Sequence, residues 1–343
     1  MRYVTMTQSN RRTFLKAGGT AGAIALSGLS GCVGGIGGGG GTPTLNLGWV
    51  VPVENFATLF SVPEVQEEAS NLGDAYEFEA THHASTPEGV NALASGETDM
   101  TLMTTVSFAN AIAQEAVPEG ITAFMTDFWD AHPDFQGISV FSASDSDITE
   151  AADLDGKKLG VNATGTGIHA VYAKALAENG IDHQNDVEFV ELGFPSFVQA
   201  IKDGRFDAGV FPALFAVSAR GEEFTKVYGS SEYFDPYPFA YNVAANRTIN
   251  EKEEALRAFN EDYVEILEWA RNNRGEVIPP AASHFELPEA LLDAYFLTEN
   301  DYYRGEVAMD ADALNGVMSQ LVELNFLEQD RDYSEYVTTE YMP

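Results

Sequence analysis

The chain from residue 44 onward alternates short apolar runs with longer segments that are apolar on one face. Runs at 44–50, 76–80 and 100–103 have the length and composition of β-strands, and residues 87–94 begin a helical pattern between the last two. Short apolar runs bounded by turn residues favour strands, whereas apolar spacings of three and four favour helices. Their regular alternation predicts an α/β fold with mostly parallel sheets covered on both faces.

A later segment of the chain shows the same pattern of strand and helix and contains candidate ligand-binding residues. Residues 153–176 read DLDGKKLGVNATGTGIHAVYAKAL, which predicts a short strand, a turn of small residues at 162–167 and an amphipathic helix. The unpaired N–H groups of such a helix start favour an anion or a strong hydrogen-bond acceptor. We therefore expect a ligand at Thr164, Gly165 and Thr166, with an ordinary capped turn as the alternative.

The same turn fits the G-x-G-x-x-G/A fingerprint of dinucleotide-binding folds. Gly165, Gly167 and Ala170 occupy its positions, and Glu188 or Glu191 stands near the spacing of its acidic partner. An exported dinucleotide-dependent oxidoreductase is therefore an alternative function.

An internal repeat indicates two lobes of like topology. Residues 86–103 and 194–211 align without a gap, and each predicts a helix that ends at a glycine and returns as a buried strand. The matched pairs include Pro87 with Pro195, Val90 with Val198, Gly96 with Gly204 and Asp99 with Asp207.

Two further predicted strands divide the chain between the lobes. They lie at 137–144 and 239–246, where two crossings would form a hinge. The expected division is lobe 1 at 44–137 plus 240–343 and lobe 2 at 138–239.

The last hundred residues are predicted to be helical. A capping-box-like pair, Asn250 and Glu253, precedes a helix that ends at Gly275 and Pro279. Helices near 289–297 and 311–327 follow, and their aromatic residues are expected to pack in the core.

The amino terminus predicts export and anchoring. Arg11 and Arg12 precede an apolar stretch too short to span a bilayer, so residues 1–31 are interpreted as a twin-arginine signal. The segment Leu29-Ser30-Gly31-Cys32 resembles a lipobox, which would make Cys32 the lipidated first residue of the mature protein, with an inert buried thiol as the alternative. Residues 32–43 then form a glycine-rich tether.

Charge changes this picture by excluding several partners. The formal net charge of −35 is dispersed along the chain, which repels nucleic acid and anionic lipid and is consistent with a high-salt habitat. The rest of the chain lacks a run of 18 apolar residues, so we expect the mature protein to be soluble and extracytoplasmic.

The export signal, the lipobox, the repeat and the run DLDGKKLGVNATGTG together resemble the solute-binding lipoproteins of ABC importers. The likeness covers the whole chain after the tether. It is greatest to the nitrate, sulfonate, taurine and thiamine-pyrimidine-precursor group (SsuA- and TauA-like), of haloarchaeal type. The resemblance implies a type II periplasmic-binding-protein fold, in which two α/β lobes are joined by two strand crossovers and enclose a ligand. It further implies a monomer without enzymatic activity, cofactor or metal, which serves a permease and a cytoplasmic ATPase.

Carried onto this sequence, the resemblance places the ligand among loops at the carboxyl ends of the strands. Aromatic residues would enclose the apolar part of the ligand, and Thr, Asn and backbone N–H groups would hold its polar head. The expected contacts are Trp49, Asn55, Phe56, His82, His83, Thr104, Thr105, Thr164, Gly165, Thr166, Phe194, Phe211 with Pro212, Tyr241 and Asn242.

Two features of these loops narrow the chemistry. They contain no evident arginine for bidentate anion binding, which favours a zwitterion, a pyrimidine or another aromatic heterocycle over a sulfate-like ligand. The adjacent His82 and His83 would face opposite sides of a strand, which favours a polar loop role over a metal site. A pyrimidine-synthesising enzyme that consumes its own histidine and pyridoxal phosphate is another alternative, but it would be intracellular.

Overall fold

The computed structural model describes residues 41–220, 224–328 and 330–343. The predicted signal, the lipobox with Cys32 and most of the tether lie outside the described residues. Within them the strands are β1 (Thr44–Trp49), β2 (Glu77–His82), β3 (Met100–Thr104), β4 (Ile121–Asp130), β5 (Ser139–Ala143), β6 (Lys158–Val161), β7 (Glu188–Glu191), β8 (Ala208–Phe211), β9 (Phe224–Gly229) and β10 (Tyr237–Ala245).

Most of the described strands before β9 are followed by an α-helix, except that β4, β5 and β6 follow one another without one, and the helices after β10 are consecutive. They are α1 (Pro63–Gln66), α2 (Thr86–Ser95), α3 (Thr105–Ala113), α4 (Gly167–Glu178), α5 (Phe197–Lys202), α6 (Ala213–Arg220), α7 (Asn246–Asn272), α8 (Arg274–His284), α9 (Glu289–Tyr295) and α10 (Ala311–Glu323). None of the helices in this part of the chain is both long and apolar enough to cross a bilayer.

The strands form two five-stranded sheets with equivalent strand orders. The first sheet runs β2-β1-β3-β10-β4 and the second runs β7-β6-β8-β5-β9. In each sheet the first two pairs are parallel and the other two are antiparallel. The predicted α/β fold with two sheets is confirmed. The expectation of mostly parallel sheets is confirmed as well, since four of the five described strands in each sheet run in one direction. The exceptions are β10 and β5, which each run antiparallel to both of their neighbours and make the sheets mixed.

The internal repeat corresponds to the same structural unit in each sheet. Helix α2 leads into β3, and α5 leads into β8, as the sequence predicts. Gly96 and Gly204 follow the two helices with φ of 81° and 65°, a left-handed conformation that ends a helix at low cost for glycine. Both returning strands are buried throughout.

The chain passes between the two sheets twice. Residues 131–138 connect β4 to β5, and residues 230–236 connect β9 to β10. The Oδ1 atom of Asp130 accepts hydrogen bonds from the Ile138 N–H at 3.1 Å and the Ser230 hydroxyl at 2.9 Å. One buried carboxylate therefore contacts both connections. These two connections lie at the start of, or just before, the predicted strands at 137–144 and 239–246.

The carboxyl-terminal helices differ from prediction in their ends. Helix α7 begins at Asn246, so Asn250 lies inside it, near a kink at Lys252 with φ of −129°. Pro279 lies inside α8 instead of ending a helix, and the break between α7 and α8 occurs at Asn273. The aromatic residues do pack in the core, as Phe259 does 5.1 Å from Phe60 between ring centroids.

Candidate functional site

A small cavity lies where loops from the two sheets meet, at the carboxyl ends of β1, β3, β6 and β8. Its volume is about 30 Å³. The lining residues are mostly apolar or neutral and polar, and we call this space the cleft cavity. They are Val50, Val51, Glu54, Asn55, Thr86, Leu102, Thr104, Phe128, Asn162, Thr166, Ile168, Phe194, Pro212 and Phe239.

The loop after β1 has a tightly determined conformation. The Asn55 side-chain oxygen accepts hydrogen bonds from the N–H groups of Val50 and Val51, at 2.9 and 3.2 Å. Val53 has φ of 65°, and the Glu54 N–H donates to the Pro52 carbonyl at 2.7 Å, which closes a three-residue γ-turn. A β-branched residue in this region costs about 1–3 kcal/mol, so the surrounding contacts must impose it. The strained turn places Glu54 at the cavity.

Glu54 is the one ionisable residue among the described residues that line the cleft cavity. Its exposed fraction is 4%, and its Oε2 atom has no hydrogen-bond partner within the described part of the chain. The carboxyl group accepts a hydrogen bond from the backbone N–H of Leu214. This residue belongs to α6, the helix that follows β8 of the second sheet. Burial raises the pKa of Glu54 to about 8, although the Arg304 guanidinium opposes this shift.

Arg304 supports this loop from behind the cavity. Its Nη2 atom donates to the Glu54 carbonyl at 2.7 Å, and its guanidinium pairs with Asp127 at 3.3 Å and Asp301 at 3.2 Å. All of these residues are buried. Burial also raises the pKa of Asp127 to about 6. With Glu54, three carboxyl groups therefore surround one guanidinium, so the region has an excess of acidic groups.

The turn after β6 satisfies most of its donors internally. The Thr164 N–H and hydroxyl both donate to Glu191 Oε1 at 2.7 Å, and the Gly165 N–H donates to His169 Nδ1 at 3.0 Å. The Gly167 N–H donates across the cleft to the Thr104 hydroxyl at 3.2 Å. Few N–H groups of this helix start therefore remain for a ligand.

Thr166 is the N-cap of α4, as the sequence predicts. Its side-chain oxygen accepts the His169 N–H at 3.5 Å. Burial, followed by the neighbouring His183, lowers the pKa of His169 to about 4. The neutral imidazole can therefore accept the Gly165 N–H, which stabilises the turn.

The structure brings four of the expected contact residues to the cleft cavity. They are Asn55, Thr104, Thr166 and Phe194. Pro212 also lines it, whereas its neighbour Phe211 packs in the core against Phe141 and Phe197.

Several other expected contact residues have structural partners away from the cavity. Phe56 packs on Tyr263, 4.9 Å between ring centroids. Thr105 bonds the Tyr241 hydroxyl at 3.0 Å, beneath the cleft. Asn242 is fully buried in β10, and its side-chain atoms have no hydrogen-bond partner in the described chain.

The remaining expected residues lie at the rims. The Trp49 and His82 ring centroids lie 4.6 Å apart with the ring planes tilted by 49°, and the His82 Nε2 lies 3.2 Å from the Val50 carbonyl. The His83 ring lies against Gly48 of β1, within 3.1 Å of where a Cβ on that glycine would be. The described residues contain no group of three or more His, Cys, Asp or Glu side chains arranged to hold a metal ion.

Thr164 and Gly165 line a different, larger cavity. Its volume is about 290 Å³, and it lies against α2 and α3. The structure therefore separates Thr166 from the two residues that precede it in the sequence.

The sequence reasoning missed most of the apolar lining and the carboxylate. Phe128 and Phe239 belong to β4 and β10 of the first sheet, and Asn162 is the first residue of the turn that the sequence predicts at 162–167. Glu54 had a usable signal, since it is a lone acidic residue in the apolar run VPVENF. An acidic side chain between apolar neighbours is rarely buried without a reason.

Comparison with known proteins supports one class of protein. Residues 68–285 match the model of a family described as ABC transporter, phosphonate, periplasmic substrate-binding protein. No curated protein sequence matches the chain at a significant level.

Solved structures of similar fold cover most of the chain. The ligand-binding component of an ABC-type import system from Staphylococcus aureus is 12% identical, with a TM-score of 0.70 over 87% of this chain and 97% of that one. The alkanesulfonate-binding protein SsuA from Xanthomonas axonopodis pv. citri is 14% identical, with a TM-score of 0.68 over 86% of this chain and 98% of that one. The periplasmic aliphatic sulphonate binding protein SsuA from Escherichia coli is 16% identical, with a TM-score of 0.65 over 86% of this chain and 92% of that one. At these identities the likeness establishes the fold.

Proposed function

This chain belongs to the family of periplasmic substrate-binding proteins of ABC transporters, and we propose that it captures a small organic solute in the cleft cavity. The bound protein would then dock on a permease whose cytoplasmic ATPase drives import. Of the solutes considered from the sequence, the pyrimidine type fits the lining better than sulfonate, taurine-like solutes or nitrate, since the cavity has no basic side chain among the described residues.

The observation that carries this proposal is the composition of the cavity walls. Loops from both sheets contribute, so a solute there would contact both at once. The rings of Phe128, Phe194 and Phe239 offer flat apolar surface, while Glu54 and Asn162 offer acceptors. Such a mixture of apolar walls and a few placed polar groups is typical of small-molecule sites.

The size of the cavity implies motion. About 30 Å³ is the share of one water molecule in the liquid, whereas small-molecule pockets hold about 300–1,000 Å³. A solute would therefore enter when the two sheets move apart about the connections at 131–138 and 230–236, and would itself occupy part of the space on closure.

Anchoring at the outer face of the cell membrane is part of the proposal. It is supported by the twin-arginine pair and by Cys32, which follows the apolar segment in a lipobox-like sequence. A Cys32→Ser protein should be released to the medium with unchanged solute affinity, because the substitution removes the site of the proposed lipid and Cys32 is not one of the described residues that line the cleft cavity. A variant that stays with the membrane after washing would contradict the anchor.

The dinucleotide alternative has little structural support. Glu191, one of its two candidate ribose partners, accepts both donors of Thr164. A Cβ at Gly167 would lie within 3.0 Å of Phe239 and Thr104, so that glycine is explained by close packing across the cleft.

A thermal-shift screen at high salt tests the proposed function. Its panel contains amines, amidines, aminopyrimidines, alkanesulfonates, phosphonates, taurine, nitrate, flavins and NAD(H). A ligand that binds only the folded state raises the transition temperature, and we expect a small organic solute to do so. A shift with NAD(H) alone would support the oxidoreductase, and no shift with any small solute would contradict a solute-binding role.

A further inference from the structure

We propose that the cleft selects small organic cations that carry N–H donors, such as ammonium, amidinium or protonated amino-heterocycles, and excludes phosphonates and sulfonates. This inference rests on the proposed function, since it specifies which solutes the same cavity takes. It rests on the orphan atoms of the cavity, on its aromatic walls and on the charged groups behind it.

The unpartnered atoms of the cavity are an amide oxygen, which accepts at any pH, and a carboxyl oxygen, which accepts once its group is ionised. Glu54 Oε2 and Asn162 Oδ1 are both buried, and neither has a hydrogen-bond partner in the described chain. A buried acceptor without a donor costs about 1–3 kcal/mol, so a ligand that supplies N–H groups recovers that free energy. A sulfonate or phosphonate supplies only further oxygens and would face a carboxyl group.

The donors that an anion would need already have protein partners. At the start of α4 the Gly167 N–H donates to the Thr104 hydroxyl and the His169 N–H donates to the Thr166 hydroxyl. In the turn before this helix, the Thr164 and Gly165 N–H groups donate to Glu191 and His169. The Leu214 N–H, near the start of α6, is bonded to Glu54 itself. Both helix starts therefore bond to protein acceptors.

The aromatic walls also favour a cation. Phe194 and Phe239 line the cavity, and ring faces attract positive charge when water is excluded. The ring of Phe128 already lies 5.2 Å from the Arg304 guanidinium. An aromatic amidinium would combine a flat body for these rings with two N–H edges for the acceptors.

The charged surroundings of Glu54 set the pH dependence of this binding. Arg304 favours its charged form, whereas Asp301 and Asp127 oppose it. The hydroxyls of Tyr295 and Tyr302 lie in the same buried group and stay protonated, because burial raises their pKa values. Since burial holds the pKa of Glu54 near 8, a cation must displace its proton at neutral pH.

Calorimetric titration at high salt with matched probes tests the inference. Benzamidine and benzylamine are the cations, and benzenesulfonate and phenylphosphonate are the anions with the same ring. We expect the cations to bind and the anions not to bind. Glu54→Gln should weaken benzamidine binding by at least about tenfold, as expected for a lost charge-assisted hydrogen bond. Glu64→Gln removes the same charge from an exposed position of the same segment and should leave affinity unchanged.

Proton linkage supplies a second readout. Between pH 6 and 8 the affinity for benzamidine, which stays cationic, should rise by about tenfold per pH unit and be nearly flat in Glu54→Gln. If the anions bind, and bind equally well to the parent and to Glu54→Gln, this inference is overturned while the proposed function is retained. Failure of both probe classes and of the whole solute panel would overturn both.

Discussion

The loops that follow β1 and β6 occupy equivalent places in two sheets with equivalent strand orders, and each presents a different polar group to the cleft: the Glu54 carboxyl group and the Asn162 amide oxygen. The loop after β1 is strained at Val53 and places the buried Glu54 carboxyl at the cavity. The loop after β6 is an internally bonded turn that ends in an N-capped helix. Equivalent topology thus determines where the loops meet, while the side chains determine which polar atoms of each loop have no hydrogen-bond partner.

The two loops also differ in what supports them. Arg304, buried with Asp127 and Asp301, bonds the Glu54 carbonyl. The turn after β6 is held by Glu191, which is exposed. Removing each support should therefore have very different consequences.

The largest effect is expected for Arg304→Met. The substitution leaves Asp127, Asp301 and Glu54 buried without their cation, and breaking a buried ion pair from one side costs about 3–5 kcal/mol. Chemical denaturation at constant salt measures the loss. An unchanged free energy of unfolding would mean that the acidic groups are already neutral in the folded protein.

Glu54→Gln should stabilise the protein in a pH-dependent way. The pKa of Glu54 is raised from 4.5 to about 8, so the folded protein holds this proton more tightly than the unfolded chain. The contribution of this proton to the free energy of unfolding is therefore fully present below pH 4.5 and is lost as the pH rises toward 8. The variant should melt more than about 4 °C above the parent at pH 8 and close to it at pH 4.5. Parallel melting curves across this range would contradict a buried carboxyl at position 54.

Gly165→Ala sharpens the comparison from the other loop. Gly165 has φ of 69°, and an added Cβ would meet no atom within 4 Å. The left-handed backbone alone should cost about 1–2 kcal/mol, with solute affinity unchanged because the N–H is already bonded to His169. A folded variant that loses affinity would return the ligand site to this turn.

Glu191→Gln is expected to have the smallest effect. Hydrogen bonds from Thr164 lower the pKa of Glu191, so its contribution to stability is present above pH 4.5 and is lost as pH falls through the lowered value. Because the side chain is exposed, the substitution should cost less than about 1 kcal/mol at neutral pH. A large loss measured by denaturation would show that the turn depends on this carboxylate.

The sequence predicted the repeated helix and strand units well, because their signals are local. Apolar periodicity and a terminal glycine determine α2 with β3 and α5 with β8. The antiparallel placement of β10 and β5 was not accessible, since strand direction within a sheet depends on contacts distant in sequence.

The site was predicted less completely because a cavity is assembled from distant segments. Thr104 and Thr166 could be placed at strand ends, but their neighbours in the sequence, Thr105 and Gly165, face elsewhere. The burial of Glu54 depends on Arg304 and on Leu214 of α6, which are distant from it in the sequence. An acidic residue in an apolar run near a strand end would have been the better signal.

The central claim, that a solute is captured between the two sheets, is most directly tested by a distance between them. Cys32 is the one cysteine of the chain, so a Cys32→Ser background accepts spin labels at Glu79→Cys and Glu188→Cys, exposed positions on the edge strands β2 and β7. Pulsed electron resonance then reports the distance between the labels with and without saturating benzamidine. The account predicts a shorter, narrower distribution with the ligand. At the same benzamidine concentration, the Glu54→Gln variant should show a smaller shift because it binds the ligand more weakly. An identical distribution at ligand concentrations where calorimetry shows saturation would contradict it.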